Sequence, residues 1–225
     1  MKPIQAWHFI RDDSTILTDS MKRPLKVHQG QTLRHRGPLK LCKKGLHASV
    51  RPLDALEYAP GSVACRVECS GGVIHGDGKL VCSRRKVLWM VDASRVLHEF
   101  AIWCAEEALG KVRNPDPRSL KAVEVKKLWL NGKATDEELK AAWEAAWNAA
   151  SEVARQPPEN AAWNATKEAA RYAARNAAWD DARYAARNAA WDAARHVIWG
   201  AARNAATRES QNEELERSLL ALQPH

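Results

Sequence analysis

The sequence predicts an α+β protein: a small β-rich N-terminal domain with one short helix (residues 1–95), then an all-α helical domain rich in Ala, Trp and Arg (residues 96–225). Three observations predict it. Short apolar runs with two-residue alternation, separated by glycines, fill the first part. The apolar period becomes helical near Ser94. From Leu139 to Ala206 the chain parses into 17 tetrads, a large residue followed by small ones, with Ala in the fourth slot of 14.

Along the chain, AWHFI (6–10) is strand-like. SVACRVECS (62–70) alternates, which puts Cys65, Val67 and Cys69 on one face and Arg66 and Glu68 on the other. RKVLWMVD (85–92) is a third strand. Gly30, Gly37, Gly45, Gly71, Gly72 and Gly76 read as turn residues. PLDALEYA (52–59) reads as a short helix, opened by Pro52 and closed by Pro60-Gly61.

From Ser94, the spacing of Leu97, Phe100, Ala101, Cys104 and Leu109 predicts a helix that NPDP (114–117) breaks. SLKAVEVKKLWL (119–130) is the next helix, stopped by Asn131-Gly132. Thr135 caps a third, with Glu138 completing a capping box. The large slot of the tetrads then holds Trp (such as Trp143, Trp147 and Trp179) or Arg (such as Arg171, Arg183 and Arg195). On a helix these residues form a ridge beside a shallow groove of alanines, a pattern suited to close helix packing. A four-residue period overshoots the helical 3.6, so the stripe drifts by about 40° per tetrad. That predicts several shorter helices, or one long helix meeting several partners, with a break at Pro157 and further breaks at Asp180-Asp181 and Gly200. The segment 211–222 is an ordinary amphipathic one.

Composition narrows the class. Hydrophobic residues make up 45% of the chain, enough for a buried core. No run of 18 apolar residues occurs, so no membrane span is expected. The opening MKPIQAWHFIRDD is a poor secretory signal. Five cysteines with no CxxC pair argue against a disulfide framework and for a reducing cytoplasm.

Charge divides the chain. Residues 1–100 carry 17 Lys and Arg against 9 Asp and Glu, whereas residues 101–225 carry 18 of each. Lys22, Arg23, Lys26, Arg34, Arg36, Lys40, Lys43, Lys44 and Arg51 follow one another with no acidic residue between Asp19 and Asp54. With Arg84 and Arg85 they are the candidate contacts to an anionic partner: a nucleic acid, a nucleotide or an acidic protein surface. Before residue 100 the aromatic residues are only Trp7, Phe9, Tyr58 and Trp89, which argues against base stacking along a bound strand. The Ala-rich helices offer a surface for self-assembly into a homo-oligomer or for a second protein.

Signatures of chemistry are scarce. Cys42, His47, Cys65, Cys69, His75 and Cys82 match no zinc-finger or ribbon spacing, so no metal is expected, and alternating cysteines on a strand read as core. No P-loop, GxGxxG or nucleophile elbow is present, and no cofactor is expected from motifs.

One stretch resembles a known family. KLCKKGLHASVRPLDALEYAPGSVACRVECSG (40–71) carries the phrase C-x-x-G-[LF]-H-A-[SC]-x-x-P-[LF]-D-[AV]-L-x-Y through Cys42, Gly45, His47, Ala48, Ser49, Pro52, Asp54, Leu56 and Tyr58. With AWHFI and GKLVCSRR, it resembles an uncharacterised family of phage and prophage proteins over about residues 1–95, many with Ala-rich tails. The resemblance implies a bacterial host cytoplasm and no established activity. It also implies a counter-defence role in which a host defence protein is a partner.

The same region is similar to ADP-ribosyltransferase-like folds, with His8 as the first-strand polar residue and Ser49 and Tyr58 as the second motif. That similarity implies NAD as cofactor and His8, Ser49 and Tyr58 as catalytic candidates. The acidic residue of the third motif has no counterpart, because VCSRRKVL is basic. The leading expectation is therefore a phage-encoded accessory binding protein rather than an enzyme. The alternatives are an ADP-ribosyltransferase-like enzyme and a structural phage component.

Overall fold

A computed structural model describes residues 2–16, 24–110, 114–154 and 205–224. The chain forms two compact units, one of Met1–Ala93 with Glu209–His225 and one of Ser94–Arg208. An antiparallel β-sheet followed by helices makes the protein α+β.

The first unit is built on a long hairpin, β6 (Val63–Gly76) and β7 (Lys79–Asp92). β1 (Ile4–Ile10) pairs antiparallel with β6, placing His8 opposite Cys65. β4 (Thr32–Arg34) and β5 (Leu46–Ala48) both pair with β7, while β2 (Thr15–Ile16) and β3 (Leu25–Lys26) form a separate two-stranded sheet. Beyond β5 the chain reaches back to the other edge: Trp7 N–H donates to Ser49 O at 2.7 Å, and Ser49 N–H donates to Trp7 O at 3.0 Å. The hydrogen bonding thus runs β1–β6–β7–β5 and returns to β1, so the sheet closes on itself and leaves few open edges.

Strand alternation then sorts the side chains. Cys65, Val67 and Cys69 are buried with Ala6, Ile10, Leu80, Cys82 and Val87 in one cluster, while Arg66 and Glu68 are only partly covered. This is the face division expected from the alternating sequence. Trp7 and Phe9, on the opposite side of β1, are buried as well.

The hairpin is longer than its sequence suggests. Gly71 and Gly72 do not form the turn. They lie inside β6 at a register shift between Ser70 and Val73, with Gly71 at φ +80° and its backbone pressed against the Ser83 side chain. A bulge of this kind bends the hairpin without ending it. The turn falls at Asp77-Gly78 instead.

Helix α1 (Pro52–Leu56) starts at Pro52 as expected but stops three residues short of Ala59, because Tyr58 and Ala59 close into tight turns ahead of Pro60. The C-terminal helix, α5 (Ala205–Leu220), is the other departure. The sequence reading placed all of 96–225 in the helical half, yet from Glu209 onward this segment belongs to the first unit. Its Leu215 and Leu219 are fully buried, Asn212 Oδ1 accepts from Leu53 N–H at 3.1 Å, and Glu216 accepts from Trp7 Nε1–H at 3.1 Å. Arg66 lies 4.6 Å above the Trp7 ring and 3.5 Å from Glu216. A sheet face carrying Trp7 needs a cover, and this helix supplies it together with a partner for the indole N–H.

The second unit starts with α2 (Ser94–Gly110), α3 (Pro117–Leu130) and α4 (Asp136–Ala154). Ile102, Ala105 and Leu109 of α2 pack with Val123 of α3. Pro117 opens α3 at its first turn, and Asp116 caps it by accepting from Arg118 N–H at 2.8 Å, so NPDP starts this helix, while α2 is described only to Gly110. The Thr135–Glu138 capping box forms as expected, at 2.7 and 3.2 Å. In α4 the tetrad pattern behaves as a packing device: Ala146 is fully buried against Ala122 and Val125 of α3, with Ala142 and Trp143 partly buried beside it. Trp147 remains 42% exposed. The later tetrads, with the breaks expected at Pro157, Asp180-Asp181 and Gly200, lie outside the described residues. Among the described residues no helix is long and apolar enough to cross a membrane.

Candidate functional site

The seam where β5 meets β1 opens into a pocket of about 260 Å³. β1 contributes Trp7 and His8, and β5 with its extension contributes His47, Ala48 and Ser49. Ala55 and Tyr58 come from α1 and the turn after it. Cys42 and Lys79 complete the rim. The three residues singled out as catalytic candidates, His8, Ser49 and Tyr58, are thus brought together although 41 residues separate His8 from Ser49.

Each side chain is held for an identifiable reason. Ser49 is buried because its backbone is clamped by the two bonds to Trp7. Tyr58 follows the last turn of α1 and is 54% exposed, with its hydroxyl accepting from Lys79 Nζ at 3.0 Å and the ammonium 4.5 Å from the ring centre. The bond to Tyr58, followed by one to Cys42, raises the Lys79 pKa, so Lys79 is a firm cation at neutral pH. Cys42 adopts φ +61°, and its N–H donates to His47 Nε2 at 2.9 Å. In that bond Nε2 of His47 is the acceptor.

His8 is half-buried, and its ring has no hydrogen-bond partner among the described residues. Burial, then the charge of Arg85, then His47, hold its pKa well below the usual imidazole value. It therefore stands in the pocket as a neutral ring with unused donor and acceptor capacity.

Arg85 lies beneath this wall. It was expected on an open cationic face. Instead it is 3% exposed, with Nη1 donating to His47 O and Nε without a partner among the described residues. The cause is the strand period: Arg84 and Lys86 point out, and Arg85 points in beside Cys65, Cys69 and Cys82. These cysteines are core residues, and burial pushes the Cys65 thiol up to about 12. Among the described residues no group of three His, Cys, Asp or Glu side chains is placed to hold a metal.

The other basic candidates divide. Arg51 pairs with Glu209 at 2.5 Å, and Lys26 donates to Asp13 O at 2.6 Å. Arg34, Arg36, Lys40, Lys43, Lys44 and Arg84 are exposed and pair with no carboxylate among the described residues. Lys22 and Arg23 lie outside the described residues. Among the described residues no carboxylate lines the pocket either.

Sequence reasoning missed the roles of Lys79 and Cys42. Lys79 reaches the rim because the bent hairpin and the β5–β7 pairing bring the far end of β7 to α1. Only the glycine pair within β6 hinted at such a bend.

A family model described as a domain of unknown function (DUF7666) matches residues 5–99, a span that contains every pocket residue. No curated protein and no solved structure matches the chain.

Proposed function

We propose that the first unit is a binding module for an anionic nucleotide, which it takes into the β1–β5 pocket. The observation that carries this reading is the lining itself: a firm cation, Lys79, beside an exposed aromatic ring, Tyr58, with an unpartnered neutral His8 and no carboxylate. A phosphate suits Lys79, a base suits the Tyr58 ring, and the unused nitrogens of His8 suit sugar or base polar groups. Arg85, buried behind His8 and His47 without a carboxylate, adds positive potential from below. About 260 Å³ is close to the smallest ligand pockets and suits a mononucleotide or part of a dinucleotide.

A second reading is supported by one observation, the convergence of His8, Ser49 and Tyr58 in this pocket, as an ADP-ribosyltransferase-like site would require. Glycosyl transfer of that kind builds positive charge on the sugar ring, and carboxylates ordinarily stabilise it. The pocket offers Lys79 instead, so binding without transfer is favoured. The test is calorimetry of the full chain with AMP, ADP-ribose, NAD and adenosine at two salt concentrations. We expect the phosphorylated ligands to bind, more weakly at high salt, and Lys79→Ala and Tyr58→Ala to weaken them. Binding of adenosine as tight as AMP sinks the reading. Nicotinamide release from NAD that disappears in His8→Ala replaces it with the transferase.

A further inference from the structure

We propose that the ligand is the end of a single-stranded nucleic acid, with its terminal nucleotide in the pocket and the adjoining phosphates along a strip of six cations: Arg34, Arg84, Arg36, Lys40, Lys43 and Lys44. This rests on the nucleotide reading of the pocket and specifies the substrate class.

The strip begins on the sheet. Arg34 of β4 sits directly opposite Arg84 of β7, both exposed. Like charges in register on neighbouring strands destabilise a sheet unless an anion lies between them. Ser70 flanks Arg84 on the other side, and the exposed Gly71 and Gly72 follow it, so no bulky side chain covers this point. From β4 the chain continues through Arg36 into a loop fastened to the hairpin by apolar contacts. Leu39 packs on Gly72 and Gly45, and Leu41 packs on Gly76. Lys40 and Lys44 exchange backbone bonds of 2.9 and 2.8 Å. These contacts use the leucines as anchors and leave Lys40, Lys43 and Lys44 exposed. Cys42, between those lysines, lines the pocket. The cationic loop therefore leads to the pocket mouth, where Lys79 stands.

The dimensions agree. Arg84 and Lys79 are five residues apart on β7, about 17 Å of strand, a separation longer than one nucleotide. The aromatic inventory selects an end over an internal stretch. Of the aromatics in the first unit, Trp7 and Trp89 are buried together at 5.5 Å and Phe9 is 1% exposed. Tyr58 alone among the described ones is open, which provides for one stacked base, with phosphate contacts beyond it. An acidic protein could use the lysines and arginines but has no need of an aromatic pocket.

The test measures binding of the full chain to four probes: AMP, a linear single-stranded hexanucleotide, a circular single strand and polyglutamate. We expect the linear hexamer to bind at least about tenfold more tightly than AMP at low salt. Arg34→Ala with Arg84→Ala should reduce the slope of log affinity against log salt for the hexamer by about 1.4 and leave AMP binding unchanged. Tyr58→Ala should weaken both. A hexamer no tighter than AMP overturns the proposal. So does a circular strand that binds as tightly as the linear one, or polyglutamate that competes as well as the hexamer. Complete failure of AMP to bind defeats the pocket reading itself, a result read separately from the strand comparison.

Discussion

Lys126 of α3 is a buried lysine whose replacement should strengthen the protein. It is 1% exposed, and its Nζ has no hydrogen-bond partner among the described residues. Among the described residues its compensating contact is the Trp129 ring, 4.3 Å away. Burial brings the ammonium from the usual 10.5 to about 8. A drop of that size corresponds to roughly 3 kcal/mol against the charged form. The ring returns up to about 2 kcal/mol in a desolvated setting. In Lys126→Met the stem keeps its packing while the charge and the ring contact both disappear, so a gain of about 1–3 kcal/mol is expected at pH 7. The pH dependence has a definite sign. Between pH 8 and 10.5 the unfolded chain holds the proton more strongly than the folded one, so wild-type stability gains from this group as pH rises through that window. The advantage of the variant should be full below pH 8 and fade by about pH 10.5. Urea unfolding of both proteins at pH 7 and pH 10 measures it. A variant less stable than wild type at pH 7, or an advantage of equal size at both pH values, refutes the reasoning.

Three further outcomes are expected. His98, beside Lys126, has its pKa lowered to about 3, first by burial and then by the lysine charge, and its Nε2 has no partner among the described residues. Its folded value lies below the unfolded one, so stability falls as pH drops from about 6.5 towards 3, by about 2 kcal/mol at pH 5; His98→Leu should flatten that limb of an acid titration followed by circular dichroism. Thr135→Ala removes the hydroxyl that caps α4 and should cost about 1 kcal/mol in urea unfolding, with little further loss when Glu138→Ala is added. Gly71→Ala places a methyl group against Ser83 Oγ at a φ of +80°, so it should lower the melting temperature by several degrees, and Ser83→Ala should relieve only the steric part.

Several features were legible from local chemistry alone. Alternation in SVACRVECS identified which cysteines are core, because a strand has no other way to arrange its side chains. The capping box at Thr135 was readable because it is satisfied within four residues. The start of α1 was marked by Pro52. Other features were not legible. Arg84 and Arg85 are neighbours in sequence, but only the strand register makes one exposed and the other buried. A basic run reports charge, and charge is blind to which face a strand turns outward.

The sequence by itself determined the change from sheet to helix near Ser94, the alternating core of the hairpin and the alanine groove that lets α4 approach α3. Each depends on periods of two or roughly four residues, well within the reach of local geometry. Only the tertiary structure decided that the sheet closes through Trp7 and Ser49, that Lys79 stands beside Tyr58, and that the last helix supplies Glu216 to Trp7 across 209 residues of chain. Those pairings follow from how a bulged hairpin bends and from which buried donor still lacks an acceptor. Both are properties of the folded chain as a whole, invisible to any window read along it.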